Sequence, residues 1–250
     1  MKKLCAIISG GRRAPLDGIE NADWIIACDK GYQYAEEAGV RPQLLVGDFD
    51  SYTGSLPADI PILDLPVEKD DTDTMAAIRY AVQEGYSEIF LYCALGGRLD
   101  HLLGNVQSAV FAVERGCRVR IIDTDNLLYF FTDGALTLPP REGWSLSLLS
   151  LTDRCENVSV TGVKYPLRDA TLTNGFPIGV SNEWRGEAQI SVGGGGAARG
   201  HVENVGKSRP FCGLLFAYFS GSAQNCGSMR ADMWKMTNAS YILNTIFSRL

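Results

Sequence analysis

The chain has 250 residues, 46% of them hydrophobic, enough apolar side chains to bury the core of one large domain or two small ones. Its formal net charge of −6 excludes a non-specific nucleic-acid binder, which needs a basic face to displace counterions from phosphates. Seven cysteines, an odd number without a CxxC pair and mostly inside apolar runs, read as reduced core residues.

Short β-like runs alternate with helical periods through the first half, the pattern of a parallel sheet covered by helices. The first run, Leu4 to Ser9, leads straight into the turn Gly10-Gly11 and is too short for the core of a signal peptide. Trp24 to Cys28, Gln43 to Val46 and Ile60 to Leu65 follow as strands. Thr72 to Gly85 then reads as a helix with Met75, Ile78 and Val82 on one face. After the strand Glu88 to Ala94, a second helical stripe contains Leu99, Leu102, Leu103, Val106, Val110 and Val113, and Arg118 to Asp123 returns to the sheet.

From about Asn126 the helical periods stop. Leu127–Phe131, Ala135–Leu138, Trp144–Leu151, Val158–Val163, Ala170–Thr173 and Ala188–Val192 predict a small all-β sandwich. The composition shifts again at Gly193. Residues 193–250 carry six basic and two acidic side chains, opposite in sign to the rest, and Met229, Met233, Met236, Leu243, Ile246, Phe247 and Leu250 fall near helical spacing. The longest late apolar stretch, Phe211 to Phe219, is about half of the roughly 18 residues that a membrane span needs. The expectation is a cytoplasmic protein with neither membrane nor nucleic acid as partner.

Three acidic turns carry chemistry. Gly47-Asp48-Phe49-Asp50-Ser51 follows the apolar run Leu44–Val46 and places two carboxylates at a strand end, a Mg²⁺ signal, because that ion takes hard oxygen ligands and lets phosphates complete its shell. Asp70-Asp71-Thr72-Asp73-Thr74 opens the first long helix, where a carboxylate is stabilised by the macrodipole and backbone N–H groups are free to meet phosphate. Gly96-Gly97-Arg98-Leu99-Asp100-His101 opens the next, with an arginine fork beside glycines that permit close approach of a ligand. Ligands of open α/β sheets bind outside the carboxyl ends of the strands, so the three clusters predict one site. Singly, each has a plainer reading as a turn former, a helix cap or a surface arginine. His101 suits a cap or core position better than a metal ligand, since no zinc spacing surrounds it. A P-loop and a GxGxxG helix opening are both missing from the sequence.

These motifs, with Asp29-Lys30-Gly31 before them and Ser181-Asn182-Glu183-Trp184 after, occur in an order that resembles the thiamine pyrophosphokinase family over residues 1 to about 192. The resemblance implies an α/β fold: a Rossmann-like parallel-sheet, ATP-binding domain over 1–128, followed by a small all-β sandwich that binds thiamine over 129–192. Residues 193–250 form an atypical Gly-rich tail that looks unrelated to the family. The resemblance also implies a homodimer with active sites between subunits and Mg²⁺-dependent transfer of a pyrophosphoryl group from ATP to the hydroxyl of thiamine. Asp48, Asp50 and Asp73 are then the Mg²⁺ ligands. Asp29, Ser51, Thr74, Arg98 and His101 meet ATP. Asp100 orients thiamine or accepts its proton, and Ser181, Asn182 and Trp184 bind the vitamin. Another Mg²⁺-dependent nucleotidyl or glycosyl transferase, or an inactive nucleotide- or thiamine-binding protein, are the alternatives.

Overall fold

The computed structural model describes residues 3–50, 52–63, 71–193 and the backbone of 214–220. It divides into two compact units, Met1–Phe130 and Phe131–Leu250.

The first unit is built on strands β1 (Leu4–Ile8), β2 (Trp24–Cys28), β3 (Leu44–Val46), β4 (Ile62–Leu63), β5 (Glu88–Tyr92), β6 (Arg118–Ile122) and β7 (Asn126–Phe131). Their order is β7-β6-β5-β1-β2-β3-β4, parallel throughout except for β7, which returns antiparallel along β6. Strands covered on both faces need continuous apolar runs. Accordingly Cys5 to Ile8 and Ile89 to Tyr92 are all buried. The chain runs outward from β1 to β4 and then crosses back to β5 on the other side of β1, so the sheet has its switch point at β1, where α/β sheets open a crevice.

Three helices cover this sheet. Helix α1 (Gly31–Glu37) has no counterpart in the sequence reading, because seven residues are too few to display a helical period. Its start lies so near β1 that a Cβ on Gly31 would stand 2.1 Å from the Ile8 carbonyl oxygen. Helix α2 (Asp73–Gln83) is capped by Thr72, whose hydroxyl accepts the Met75 N–H at 3.2 Å. It buries Thr74, Ala77, Ile78 and Ala81, with Met75 and Val82 only half-buried. In α3 (Leu99–Val113) the difference from the expected stripe is larger. The buried face is Asn105, Ser108, Ala109 and Ala112, while Leu99 and Leu103 stay 69% and 52% exposed. Small side chains face inward along α3 because they permit close approach to the sheet, and its larger aliphatics are displaced to the flanks, whereas α2 combines small residues with the fully buried Ile78.

The second unit comprises β8 (Gly134–Leu138), β9 (Trp144–Ser150), β10 (Cys155–Val163), β11 (Leu167–Leu172), β12 (Gly179–Asn182), β13 (Trp184–Val192) and β14 (Leu214–Ser220). Two antiparallel ladders result, β11-β10-β13-β8 and β12-β9-β14. Strand β14 falls in the segment read as an unrelated tail, and it pairs with β9 from Leu214↔Ser150 to Ser220↔Trp144. The helix expected over 229–250 lies outside the described residues.

Cys5, Cys28, Cys93 and Cys117 are free and buried, as expected, whereas Cys155 is disulfide-bonded. That corrects the reading of all seven as reduced: apolar surroundings predict burial of a sulfur but not which sulfur it meets. Among the described residues no helix is long and apolar enough to cross a membrane.

Replacing Gly31 by alanine drives a methyl into the backbone of β1, where no flexible side chain can yield. Overpacking of this kind costs about 1–3 kcal/mol, so Gly31→Ala should lower the thermal midpoint of the full chain by several degrees in a melting experiment.

Candidate active site

The carboxylates at the end of β3 are aimed by their neighbours. Phe49, between Asp48 and Asp50, is 7% exposed and packs with Ala27, Tyr32, Leu45 and Ile60, so the two aspartates on either side remain in solvent. Phe49 holds a left-handed backbone (φ 55), uncommon for a bulky residue and sustained here by its burial. Asp50 donates its N–H to Asp48 Oδ1 at 3.2 Å, which tightens the turn. Asp29 arrives from the adjacent strand, also left-handed (φ 45), with its N–H on the Val46 carbonyl at 2.9 Å. Gly47 (φ 135) permits this approach, since a Cβ there would lie 3.3 Å from Asp29 Cβ. Each of Asp29, Asp48 and Asp50 thereby offers a carboxylate oxygen within 4.8 Å of the others.

Asp29 and Asp48 stand on the wall of a cavity of about 670 Å³ that also takes in Ser9-Gly10-Gly11 after β1, Asp73 and Thr74 at the start of α2, and Gly96 to Arg98, His101 and Asn105 around the start of α3. The three acidic clusters therefore converge as the sequence predicted. Asp73 shares the cavity but is not in the close carboxylate group, where Asp29 stands instead. Thr74 is buried and its hydroxyl bonds the Ser9 hydroxyl at 3.0 Å, tying α2 to the β1 turn. Ser51 lies outside the described residues.

Arg98 is the N-cap residue of α3, and its guanidinium forks onto Asp100, Nε to Oδ1 at 3.1 Å and a terminal nitrogen to Oδ2 at 2.5 Å. The same Oδ1 accepts the His101 N–H at 3.0 Å. The Arg98 hydrogen bond holds the Asp100 carboxyl below its ordinary range, and Asp100 in turn pushes the guanidinium pKa up. Both side chains are exposed, so the pair is screened and adds little to stability.

Asn105 was missed by the sequence reading. Its Nδ2 donates to the Ala94 carbonyl at 2.8 Å from a position four residues after His101 and seven after Arg98, on the same helix face. That spacing was the available signal.

In the second unit, Ser181 is exposed in a left-handed conformation (φ 59), its N–H on Ser147 Oγ at 3.0 Å. Asn182 is buried and its amide is committed to backbone. Oδ1 accepts from the N–H groups of Tyr165 and Glu183, each at 3.0 Å, and Nδ2 donates to the Tyr165 carbonyl at 2.7 Å. Trp184 is half-buried at the start of β13, in register with Val163.

The fold and these residues define a two-unit chain, an α/β unit with an acidic, glycine-lined cavity at its strand ends and a unit of antiparallel β-sheet. Residues 17–121 match the family description "Thiamin pyrophosphokinase, catalytic domain" and residues 135–195 match "Thiamin pyrophosphokinase, vitamin B1 binding domain". A thiamine pyrophosphokinase of Bacillus subtilis is 30% identical over 192 residues, covering 72% of this chain and 89% of that protein. Among solved structures, the Bacillus subtilis thiamine pyrophosphokinase superposes with a TM-score of 0.72 at 26% identity, over 88% of this chain and 100% of that one. The thiamin pyrophosphokinase of Geobacillus thermodenitrificans gives 0.68 at 26% identity, over 88% and 99%. The chain belongs to the thiamin pyrophosphokinase family.

The Thr74–Ser9 bond is internal to the fold, so its loss should register as stability. Thr74→Val keeps the shape and strands the Ser9 hydroxyl, and urea denaturation should show a loss of about 1 kcal/mol.

Proposed function

We propose that the chain transfers the β,γ-pyrophosphoryl group of ATP to the hydroxyl of thiamine, giving thiamine diphosphate and AMP, with Mg²⁺ held by Asp29, Asp48 and Asp50. Family membership supports the reaction, and the observation that carries the site is the meeting of those three carboxylates beside a glycine-lined cavity. Three hard oxygen donors with no sulfur or imidazole among them suit Mg²⁺ rather than zinc. Asp73 is proposed as a further ligand from the cavity wall. When bound, the ion supplies charge neutralisation and polarises phosphoryl oxygens.

The thiamine hydroxyl oxygen forms a bond to the β-phosphorus as the bond from that phosphorus to the oxygen of AMP breaks, and the hydroxyl proton is released. Such chemistry needs placement and charge compensation more than covalent help. Arg98 is proposed to meet the phosphates, with Thr74 and His101 beside it on the cavity. Ser51 is assigned to the same nucleotide by family resemblance alone. Asp100, its carboxyl held low by Arg98, is a weak base, so its proposed part is to hold the guanidinium in place. Thiamine is proposed to meet Ser181 and Trp184, whose indole face suits a cationic thiazolium, while Asn182 shapes the turn that presents them. We further propose a homodimer and a cytoplasmic location. A sugar-nucleotide transferase, left open by the aspartate pair alone, loses ground to the family match over both units.

The test is AMP release by the full chain with ATP and Mg²⁺, with and without thiamine. Thiamine-dependent AMP matched one to one by thiamine diphosphate is expected; binding of either substrate without turnover would establish the inactive alternative. Asp48→Asn should cut turnover about a hundredfold or more, with a melting midpoint no lower than the parent's, because one of three mutually repelling charges is removed. Trp184→Ala should raise the KM for thiamine about 2- to 30-fold, which corresponds to ~0.5–2 kcal/mol of cation–π contact, and leave that for ATP unaltered.

A further inference from the structure

The buried carboxylate of Asp123 has no part in the chemistry above. It follows β6, and its side chain is 0% exposed. One terminal guanidinium nitrogen of Arg12 donates to Asp123 Oδ1 at 2.9 Å and Oδ2 at 3.2 Å, and to Asp125 Oδ2 at 3.0 Å. The Thr124 N–H completes Asp123 Oδ1. Asp123 is the buried member and Arg12 is half-exposed, so removing Arg12 leaves a desolvated carboxylate and the link resists rearrangement.

Arg12 reaches further than its ion pair. Its N–H binds the Leu95 carbonyl at 2.9 Å, and the preceding Gly11 N–H binds Cys93 O at 2.8 Å. Its Cβ lies against Gly96, where an added Cβ would stand only 2.7 Å away. A line of contact thus runs from the end of β6 through Arg12 to Gly96-Gly97-Arg98, the turn that opens α3 on the cavity. Gly10, Gly96 and Gly97 keep N–H groups with no acceptor among the described residues, the kind of backbone that cradles phosphate. Arg12 also lines the cavity, but its guanidinium is engaged by Asp123 and Asp125, which leaves little of its charge for an anion.

We propose that Arg12 and Asp123 form a positioning pair for ATP: they hold the Gly96-Gly97-Arg98 turn at the height where its N–H groups and the Arg98 guanidinium meet the phosphates. This rests on the reading of the cavity as the ATP site. Neither residue touches the nucleotide. Both act through the turn, so their loss weakens ATP binding while thiamine binding stays as it was.

The experiment measures, on the full chain, the equilibrium Kd of ATP with Mg²⁺ by calorimetry, the KM for each substrate, kcat, and the melting midpoint. The variants are Asp123→Asn, Arg12→Met, the two combined, and Arg12→Lys. Misplacing a binding group by a fraction of an ångström is expected to raise Kd and KM for ATP about tenfold in each single variant, with thiamine KM within about twofold. The double variant should be no worse than either single one, and Arg12→Lys, which retains the charge, should recover to within about threefold of the parent. Should Arg12→Met, which strands the buried Asp123 carboxylate, fail to fold, the double variant buries no unpaired charge and makes the same comparison with Arg12→Lys.

An ATP Kd within about twofold of the parent in folded Asp123→Asn overturns the proposal, as does multiplication of the two effects in the double variant. A loss in Arg12→Met about tenfold beyond that in Asp123→Asn would make Arg12 a direct phosphate contact instead. A lowered melting midpoint with unchanged ATP affinity would leave the pair merely structural. If the parent binds ATP but releases no thiamine-dependent AMP, the proposed reaction fails while the Kd series still decides this point; a parent that binds no ATP overturns both.

Discussion

Three like charges forced together at the ends of two neighbouring strands are the constraint around which the α/β unit is organised. Two unit charges 4.8 Å apart repel by about 1 kcal/mol in water and several times more where the dielectric falls. Strand register and turn geometry bring Asp29, Asp48 and Asp50 together. The β2–β3 register sets Cys28 beside Val46, so the residues that follow both strands emerge side by side. Phe49 then pins the turn from beneath, and left-handed conformations at Asp29 and Phe49, of order 1 kcal/mol each, complete the geometry. A cation placed among the three oxygens would offset that repulsion.

The same economy governs the other polar groups. Arg98, which on its own would be a long mobile cation, is held by a two-pronged contact with Asp100 at the mouth of its helix. In the second unit, Asn182 uses both ends of its amide to lock the strand β12 to the Tyr165 backbone, and this leaves Ser181 exposed and Trp184 half-buried on either side of it. Asn105 and Asn182, one buried amide in each unit, are thus spent on holding backbone.

What could be read from the sequence follows from physical range. Strands of a sheet covered on both faces announce themselves as apolar runs, and Trp24–Cys28 was legible to the residue. The convergence of the acidic clusters was legible too, since all three follow strands or open helices. The membership of Asp29 in the carboxylate group was not, because it depends on a register between strands 18 residues apart. Helix faces misled for a related reason. In α3 the longest apolar side chains define the stripe, but the sheet selects the small ones, so Asn105 faces the cavity while Leu99 lies in solvent.

Strand β14 carries this lesson to its limit. Leu214–Ser220 lies in a stretch whose composition departs from everything before it, and on composition it was set apart from the fold. Yet a strand is recruited into a sheet by hydrogen-bonding need. Strand β9 has β12 on one side, and without a partner on the other would present a row of open N–H and C=O groups along an apolar segment. Any nearby run with β-forming side chains and no proline can meet that demand, and Leu-Leu-Phe-Ala-Tyr-Phe-Ser does so over seven successive pairs. Composition describes how a segment differs from its neighbours, while the vacancy along β9 determines whether the segment has a place in the sheet.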